Sequence, residues 1–387
     1  MIIYPDLMIN LSDRHVAIVH DEFTRRGGAE VVVEELIGLL PQAMIFGLYA
    51  GTPTIIVDGQ TRPINCSFVQ KLPLWFRRHP SRVLPLLPHA VEQFDLAEFD
   101  LVISSASGLC KGVITRVDVP HLSYCHAPTR YLWDSTHEAV SLSWPGTRWL
   151  ARLVFHYLRI VDFAAAQRVD QFIANSKFTQ QRIATYYGRK SEVIYPPIDT
   201  AFFTPSSEEN KYQLKRRDRY FLCVGRCNAS KKFDQVIKVM NKLNYPLIVI
   251  GRGPEQRKWR QVAGNKTIFI SQVNRVELRK YYRRARALVQ PGIEDFGMAT
   301  AESLACGTPV IALGEGGAAE IVRSGETGVL YEDQSEEALA EAVRKFNQLE
   351  KKFNRGRLQN SVLYFSRYNW QRQMTDAIQA ILRRQPV

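Results

Sequence analysis

Two carboxylates with seven residues between them, Glu294 and Glu302, mark the part of this chain best equipped for chemistry. The segment reads Glu294-Asp-Phe-Gly-Met-Ala-Thr-Ala-Glu302 and runs on through Ala305-Cys-Gly-Thr-Pro-Val-Ile311. It follows a short apolar run, Ala287-Leu-Val-Gln290, so the pattern predicts a strand, a turn and a helix opened by Gly297. Amides at such a helix start, those of Phe296, Gly297 and Met298, favour an anion such as a diphosphate. One acid on the loop and one in the helix can then hold sugar hydroxyls.

Fixed positive charge stands upstream in Val224-Gly-Arg226-Cys-Asn-Ala-Ser-Lys231-Lys232. A diphosphate leaving group must be neutralised as its bond breaks, by a metal ion or by cationic side chains and amides. The chain has no Asp-x-Asp triplet of the kind that holds a metal with a nucleotide sugar. Arg226 and Lys231 would give charge-assisted hydrogen bonds without a cation, with Lys232 as the neighbouring candidate. The ordinary alternative is a solvated basic turn. Gly27 and Gly28, in Arg25-Arg-Gly-Gly-Ala-Glu30, open a helical pattern and let backbone approach a phosphate or a sugar. No Gly-x-Gly-x-x-Gly follows the preceding strand, so this is not a dinucleotide fingerprint. His126 sits at a strand end in Ser123-Tyr-Cys-His-Ala-Pro-Thr-Arg130-Tyr-Leu-Trp-Asp134. A lone histidine is more often structural than catalytic, and Arg130 and Asp134 could simply pair and brace their loop.

Taken in order, these motifs resemble the family 4 retaining glycosyltransferases of the GT-B fold, over nearly the whole chain. Glu294 and Glu302 match that family's E-x7-E motif, and Arg226 and Lys231 its G-R-x4-K element. The resemblance implies that Arg226 and Lys231 grip the donor diphosphate and Glu294 binds donor-sugar hydroxyls. Glu302 would accept from the ribose, and Val273 would face the base through its backbone. Gly314-Glu-Gly-Gly-Ala-Ala-Glu320 would close the site, Gly27 and Gly28 would face the diphosphate, and His126 would contact the transferred sugar. The implied reaction retains the anomeric configuration and needs no metal or other cofactor. The implied partners are a nucleotide-sugar donor and a saccharide or lipid-linked saccharide acceptor, with bacterial mannosyltransferase-like members of surface polysaccharide assembly as the nearest kind. GDP-mannose is the preferred donor; UDP- and dTDP-sugars stay open, because no residue reads the base. A GT-B epimerase, hydrolase or phosphorylase is the enzymatic alternative. A non-catalytic nucleotide-sugar-binding protein is the other.

Charge agrees with an anionic ligand. The net charge is +13 over 387 residues, and the excess is confined to one half. Residues 1–200 carry 19 basic and 19 acidic side chains, whereas residues 201–387 carry 32 and 19. Nucleic acid is the rival ligand, but no helix-turn-helix, RNP-type or zinc-knuckle signature supports it. The six cysteines are scattered and read as reduced thiols. Met1-Ile-Ile-Tyr-Pro-Asp6 lacks the features of a signal peptide, and no run is long enough to span a bilayer, so a cytoplasmic protein is expected. Trp75-Phe-Arg-Arg-His-Pro-Ser-Arg82, followed by Val83-Leu-Pro-Leu-Leu87, mixes aromatics, arginines and leucines. It is a candidate for peripheral contact with an anionic membrane through 75–87; a helix with a charged outer face is the plainer reading.

The elements that must position these residues alternate twice. Short apolar strands at Val16–Val19, Asp100–Ser104 and Phe172–Asn175 each lead into a helical pattern, and the alternation restarts at Tyr220–Val224, Leu247–Ile250, Thr267–Ile270, Ala287–Val289 and Pro309–Ala312. This is α/β patterning with parallel sheets covered on both faces. A chain of this length exceeds one ordinary core. The expectation is therefore GT-B architecture, two Rossmann-like domains facing each other across a cleft. An acceptor domain would cover residues 1–196 and a nucleotide-sugar domain 197–365. A terminal helix, 366–387, would cross back to the first domain. Val193-Ile-Tyr-Pro-Pro-Ile-Asp199 reads as the linker, since its prolines deny ladder hydrogen bonds.

Overall fold

The computed structural model describes residues 11, 13–73, 83–136, 140, 145–206 and 220–383. The membrane candidates Trp75, Phe76, Arg77, Arg78 and Arg82 lie outside the described residues. The chain forms two compact units, one of residues 1–197 with 368–387, the other of residues 198–367. The proline pair Pro196-Pro197 marks the end of the first stretch.

The first unit is an eight-stranded sheet in the order β3-β4-β2-β1-β5-β6-β7-β8. Its strands are β1 (Val16–Phe23), β2 (Met44–Ala50), β3 (Thr54–Val57), β4 (Gln60–Cys66), β5 (Leu101–Ala106), β6 (His121–Cys125), β7 (Gln171–Ala174) and β8 (Ser191–Val193). β5 and β6 are buried along their whole length, as strands covered on both faces must be. All pairings are parallel except β3 with β4, which departs from the all-parallel expectation. The cause is local. Asp58 and Gly59, between Val57 and Gln60, both take positive φ (51° and 77°), the backbone that a two-residue hairpin turn needs.

The terminal helix Arg367–Arg383 completes this unit. Trp370, Met374, Ala377, Ile378 and Ile381 fall on one helical face and join Val32, Val33, Leu36 and Ile37 in a single core. The helix Gly28–Leu39 supplies those partners, and its buried Glu35 accepts a 3.0 Å hydrogen bond from Gln371 Nε2.

The second unit is a six-stranded, fully parallel sheet in the order β11-β10-β9-β12-β13-β14. It comprises β9 (Phe221–Val224), β10 (Leu247–Ile250), β11 (Thr267–Ile270), β12 (Leu288–Gln290), β13 (Val310–Leu313) and β14 (Gly328–Tyr331). From β9 the chain builds outward through β10 and β11, then returns to the other side of β9 with β12. The order therefore reverses between β9 and β12, and loops leaving the carboxyl ends of two such strands diverge to leave a crevice where ligands bind.

Candidate functional site

Both loops at that reversal carry the predicted residues. The loop after β9 holds Arg226 and Lys231, and the loop after β12 holds Glu294. Lys231 Nζ forms an ion pair with Glu294 Oε1, and Gln290 Nε2 donates to the same oxygen. Both charged side chains are mostly buried, at 20% and 15% exposure, so the pair is screened less than a surface bridge. Arg226, on the same loop as Lys231, is exposed.

Close backbone contact makes the arrangement possible. A Cβ on Gly292 would stand 2.3 Å from the Ser230 carbonyl oxygen, so only glycine lets the two loops come this near. On the opposite side the loop after β13 closes over the acid: Gly317 N donates to the Glu294 carbonyl at 2.8 Å. Gly316 has φ +70°, and a Cβ there would meet that same carbonyl at 2.5 Å. The segment Gly314–Glu320 thus packs on the Glu294 loop.

Beyond Glu294 the chain turns through Phe296, buried against Phe365 at 5.3 Å between ring centroids, and Gly297, whose φ is 100°. The helix Met298–Ala305 starts there, and the Gly297 carbonyl accepts from Thr300 N at 3.0 Å and Ala301 N at 3.2 Å. Glu302 lies on this helix and accepts 2.9 Å from the Tyr282 hydroxyl. Burial and the Glu302 charge raise the Tyr282 phenol well above its ordinary value, so it remains a donor. Val273 sits half-buried in the loop after β11. The second unit therefore brings Lys231 and Glu294 into contact, with Phe296, Gly297, Met298 and Glu302 following in one strand–turn–helix.

Gly27, Gly28 and His126 belong to the first unit. Gly27 precedes the helix Gly28–Leu39, and its N–H donates to Glu30 Oε2 at 2.8 Å. His126 follows β6 and is buried; its Nε2 is 2.8 Å from Ser105 Oγ and its carbonyl accepts from Asn175 Nδ2 at 2.8 Å. Burial first, then the charge on His20, lowers the His126 imidazole to about 3. It is a neutral ring at ordinary pH, fitted to hydrogen bonding rather than proton shuttling. The Asp134 carboxylate meets Arg182 and Tyr186, the latter at 2.6 Å.

Two residues of this unit escaped the sequence reading. His20 stands 6.5 Å from His126 between ring centroids, with Nδ1 2.9 Å from the Ser105 carbonyl and Nε2 3.8 Å from Glu30 Oε1. Burial opposes its charge, but Glu30 and Asp21 outweigh burial and raise it above its ordinary value. In return the Glu30 carboxyl, which burial alone would raise, is lowered by His20. Asp21 accepts from the amides of Ser107 and Gly108 at 2.7 Å and Cys110 at 3.0 Å. The only signal was a histidine and an aspartate directly after the β1 apolar run.

Residues 206–361 match the family described as "Glycosyl transferases group 1", and residues 26–202 match "Glycosyltransferase Family 4". The chain is 24% identical over 331 residues to D-inositol 3-phosphate glycosyltransferase of Paenarthrobacter aurescens, covering 76% of this chain and 78% of that protein. It is 26% identical over 195 residues to a GDP-mannose-dependent α-(1-6)-phosphatidylinositol monomannoside mannosyltransferase of Mycolicibacterium smegmatis, covering 43% and 50%. The chain spans about half the length of several of the curated relatives it matches. Among solved structures it superposes on HepE of Anabaena in complex with UDP and glucose, with a TM-score of 0.67 at 17% identity, covering 95% of this chain and all of that one.

Proposed function

Because the chain belongs to family 4 of the glycosyltransferases, with the GT-B fold, we propose that it transfers a sugar from a nucleotide-sugar donor to an acceptor hydroxyl. The contact between Lys231 and Glu294 at the strand-order reversal of the second unit carries this reading. It sets a cation suited to a diphosphate beside an acid suited to sugar hydroxyls, on loops held by Gly292 and Gly316.

In this mechanism Lys231 and Arg226 hold the departing diphosphate, together with the amides of Phe296, Gly297 and Met298. Glu294 accepts from neighbouring sugar hydroxyls and stabilises positive charge growing on the ring. Glu302 accepts from the ribose; a carboxylate offers about four acceptor positions, so the Tyr282 bond leaves capacity for it. Val273 meets the base through its backbone. In the first unit Gly27 and Gly28 approach the phosphates, and neutral His126 hydrogen-bonds the transferred sugar. The bond from the anomeric carbon to phosphate breaks while a bond to the acceptor oxygen forms on the same face. The acceptor proton passes to the departing phosphate. The configuration is retained, and no metal or cofactor is required.

GDP-mannose is the preferred donor, in keeping with the mannosyltransferase relative; UDP, bound by HepE, is the competing nucleotide. The acceptor is a saccharide or a lipid-linked saccharide in surface polysaccharide or glycolipid assembly, met at the cytoplasmic face of the membrane. The test is release of nucleoside diphosphate from a panel of donors with and without such acceptors, in chelator. Release that depends on acceptor and survives chelation supports the proposal. Release without acceptor would make the protein a hydrolase or epimerase, and no release from any donor would leave it a binding protein. Proton NMR of the first product shows the opposite anomer if retention is wrong.

A further inference from the structure

The helix Arg148–Gln167 of the first unit turns an apolar face outward. Its inner side is fixed. Phe155, Leu158 and Ala165 are buried, and so is Asp162, which pairs with Lys111 and accepts from Thr129, Trp133 and Tyr187 at 2.8 Å each. With that side anchored, the opposite side faces solvent. Trp149 is 63% exposed, Leu153 56%, Tyr157 52% and Ile160 56%, and at the helical repeat these four share a stripe about 80° wide. Leu150 and Phe163 border the stripe, also exposed. Six of the 17 large apolar side chains exposed among the described residues thus lie on this one helix. Contiguous apolar surface of this kind marks a contact site.

Charge decides what makes the contact. Arg148, Arg152, His156 and Arg159 run along one flank of the stripe and line a cavity of about 680 Å³ beside Trp133 and Leu153. Asp134 also lines it, but its carboxylate is engaged by Arg182 and Tyr186. Asp162 is the helix's sole acidic residue, and it is buried. A second copy docked through the same face would set arginine against arginine with no carboxylate on the helix to answer. A sheet of lipid phosphates over acyl chains complements both the stripe and its flank.

We propose that the outer face of the 148–167 helix docks on an anionic lipid bilayer. The helix lies in the interface with Trp149, Leu153, Tyr157 and Ile160 at the acyl boundary, and the arginine-lined cavity receives lipid phosphate. The helix does not cross the membrane: it carries charge along its length, and no helix among the described residues is long and apolar enough to span. The inference deepens the reading of a lipid-linked acceptor but rests on its own observations.

The experiment is co-sedimentation of the full chain with vesicles of phosphatidylcholine alone and with added phosphatidylglycerol, at low and high salt. The native protein should bind the anionic vesicles, and salt should weaken binding. Trp149→Glu/Leu153→Glu and Arg148→Glu/Arg152→Glu should each weaken it roughly tenfold or more, with unchanged circular dichroism and unchanged turnover on a soluble acceptor. Inorganic phosphate should compete only weakly, since it offers no acyl boundary. Native-like binding by both variants overturns the proposal. So does loss of binding only in a Trp75→Ala/Arg77→Glu/Arg78→Glu variant, which would move the contact elsewhere. A native protein that self-associates and becomes monomeric in Trp149→Glu/Leu153→Glu also overturns it, in favour of a second copy. If no donor is turned over, the transfer reading fails while the vesicle result stands.

Discussion

Lys231 and Glu294 touch, and the contact sets what substitutions should do. Glu294→Gln keeps the shape, removes the charge and exchanges an acceptor for donors. If Glu294 acts on the sugar in the transition state, turnover should fall about 100-fold or more while affinity for the free nucleoside diphosphate changes little. Glu302→Gln should do the reverse, weakening nucleotide binding with less effect on turnover. Calorimetry with the nucleotide and steady-state kinetics separate the two; equal loss of nucleotide affinity in both would end this division of labour. Histidine protonation is a second residue-scale matter. The folded-state values of His121 and His126 lie near 3, lowered mainly by burial, below the unfolded value of about 6.5. Between these pH values the unfolded chain binds more protons than the folded one, so stability present above pH 6.5 drains away as pH falls toward 3. His20 has a raised value and works oppositely, contributing fully below 6.5 and losing its contribution as pH rises through the raised value. Urea midpoints should therefore drop from pH 6.5 to 4, and less steeply in His126→Asn; an imidazole of His126 titrating near 6.5 by NMR would refute the buried neutral ring. The acids and bases of the second unit were legible because they sit in one or two contiguous motifs. His20 and Asp21 were not, because the Ser105 and Ser107 they engage lie 85 and 86 residues away, and nothing local distinguishes them from turn residues.

Loops become precise through their closest approaches, so the element scale is tested at glycine. Gly292→Ala puts a methyl 2.3 Å from the Ser230 carbonyl and 3.0 Å from Lys231 Cα, and backbone cannot yield as a flexible side chain would. The loop carrying Lys231 must move, at a packing cost of about 1–3 kcal/mol. Affinity for nucleoside diphosphate should fall roughly tenfold or more, by the same arithmetic of displaced contacts. Gly146→Ala, whose Cβ would meet nothing within 4 Å, should change neither. Isothermal titration on both variants checks this, and native affinity in Gly292→Ala would show that the close approach does not position Lys231. The same scale explains what sequence patterning could and could not supply. Fully buried strands such as β9 and β10 read as apolar runs, and a glycine at the end of each marks where the backbone turns. The β3–β4 pair was not legible although Val57-Asp-Gly-Gln60 carries a hairpin turn, because βαβ alternation has no place for an antiparallel edge. Of β6 only the end ahead of His126 was legible, because His121 and Ser123 interrupt the apolar run, although all five of its residues are buried.

For the whole molecule, the terminal helix is the decisive element, because it makes the first unit discontinuous in sequence: residues 1–197 are finished only by residues 368–387. Helical spacing at Trp370, Met374, Ala377, Ile378 and Ile381 made the helix legible, whereas its partners are set by shape against Val32, Val33, Leu36 and Ile37, which no local pattern reports. Trp370 is 1% exposed and stands 6.3 Å from Tyr124 between ring centroids, so it fills space in the core. Trp370→Ala should cost about 3–5 kcal/mol through lost burial and the cavity left behind. The loss should fall where the packing is. Hydrogen exchange should show the amides of 28–39 and 367–383 losing protection together, since the two helices share one core and a buried Glu35–Gln371 bond. Gln371→Leu is the complementary change. It removes the donor to Glu35 but keeps much of the volume, so it leaves a buried carboxylate short of a partner rather than a cavity. Its destabilisation should be about 1–3 kcal/mol, smaller than that of Trp370→Ala, because no core volume is lost. Urea unfolding curves of both variants at neutral pH measure the two costs. If 28–39 keeps its protection in Trp370→Ala, the terminal helix is an appendage of the first unit and not part of its core.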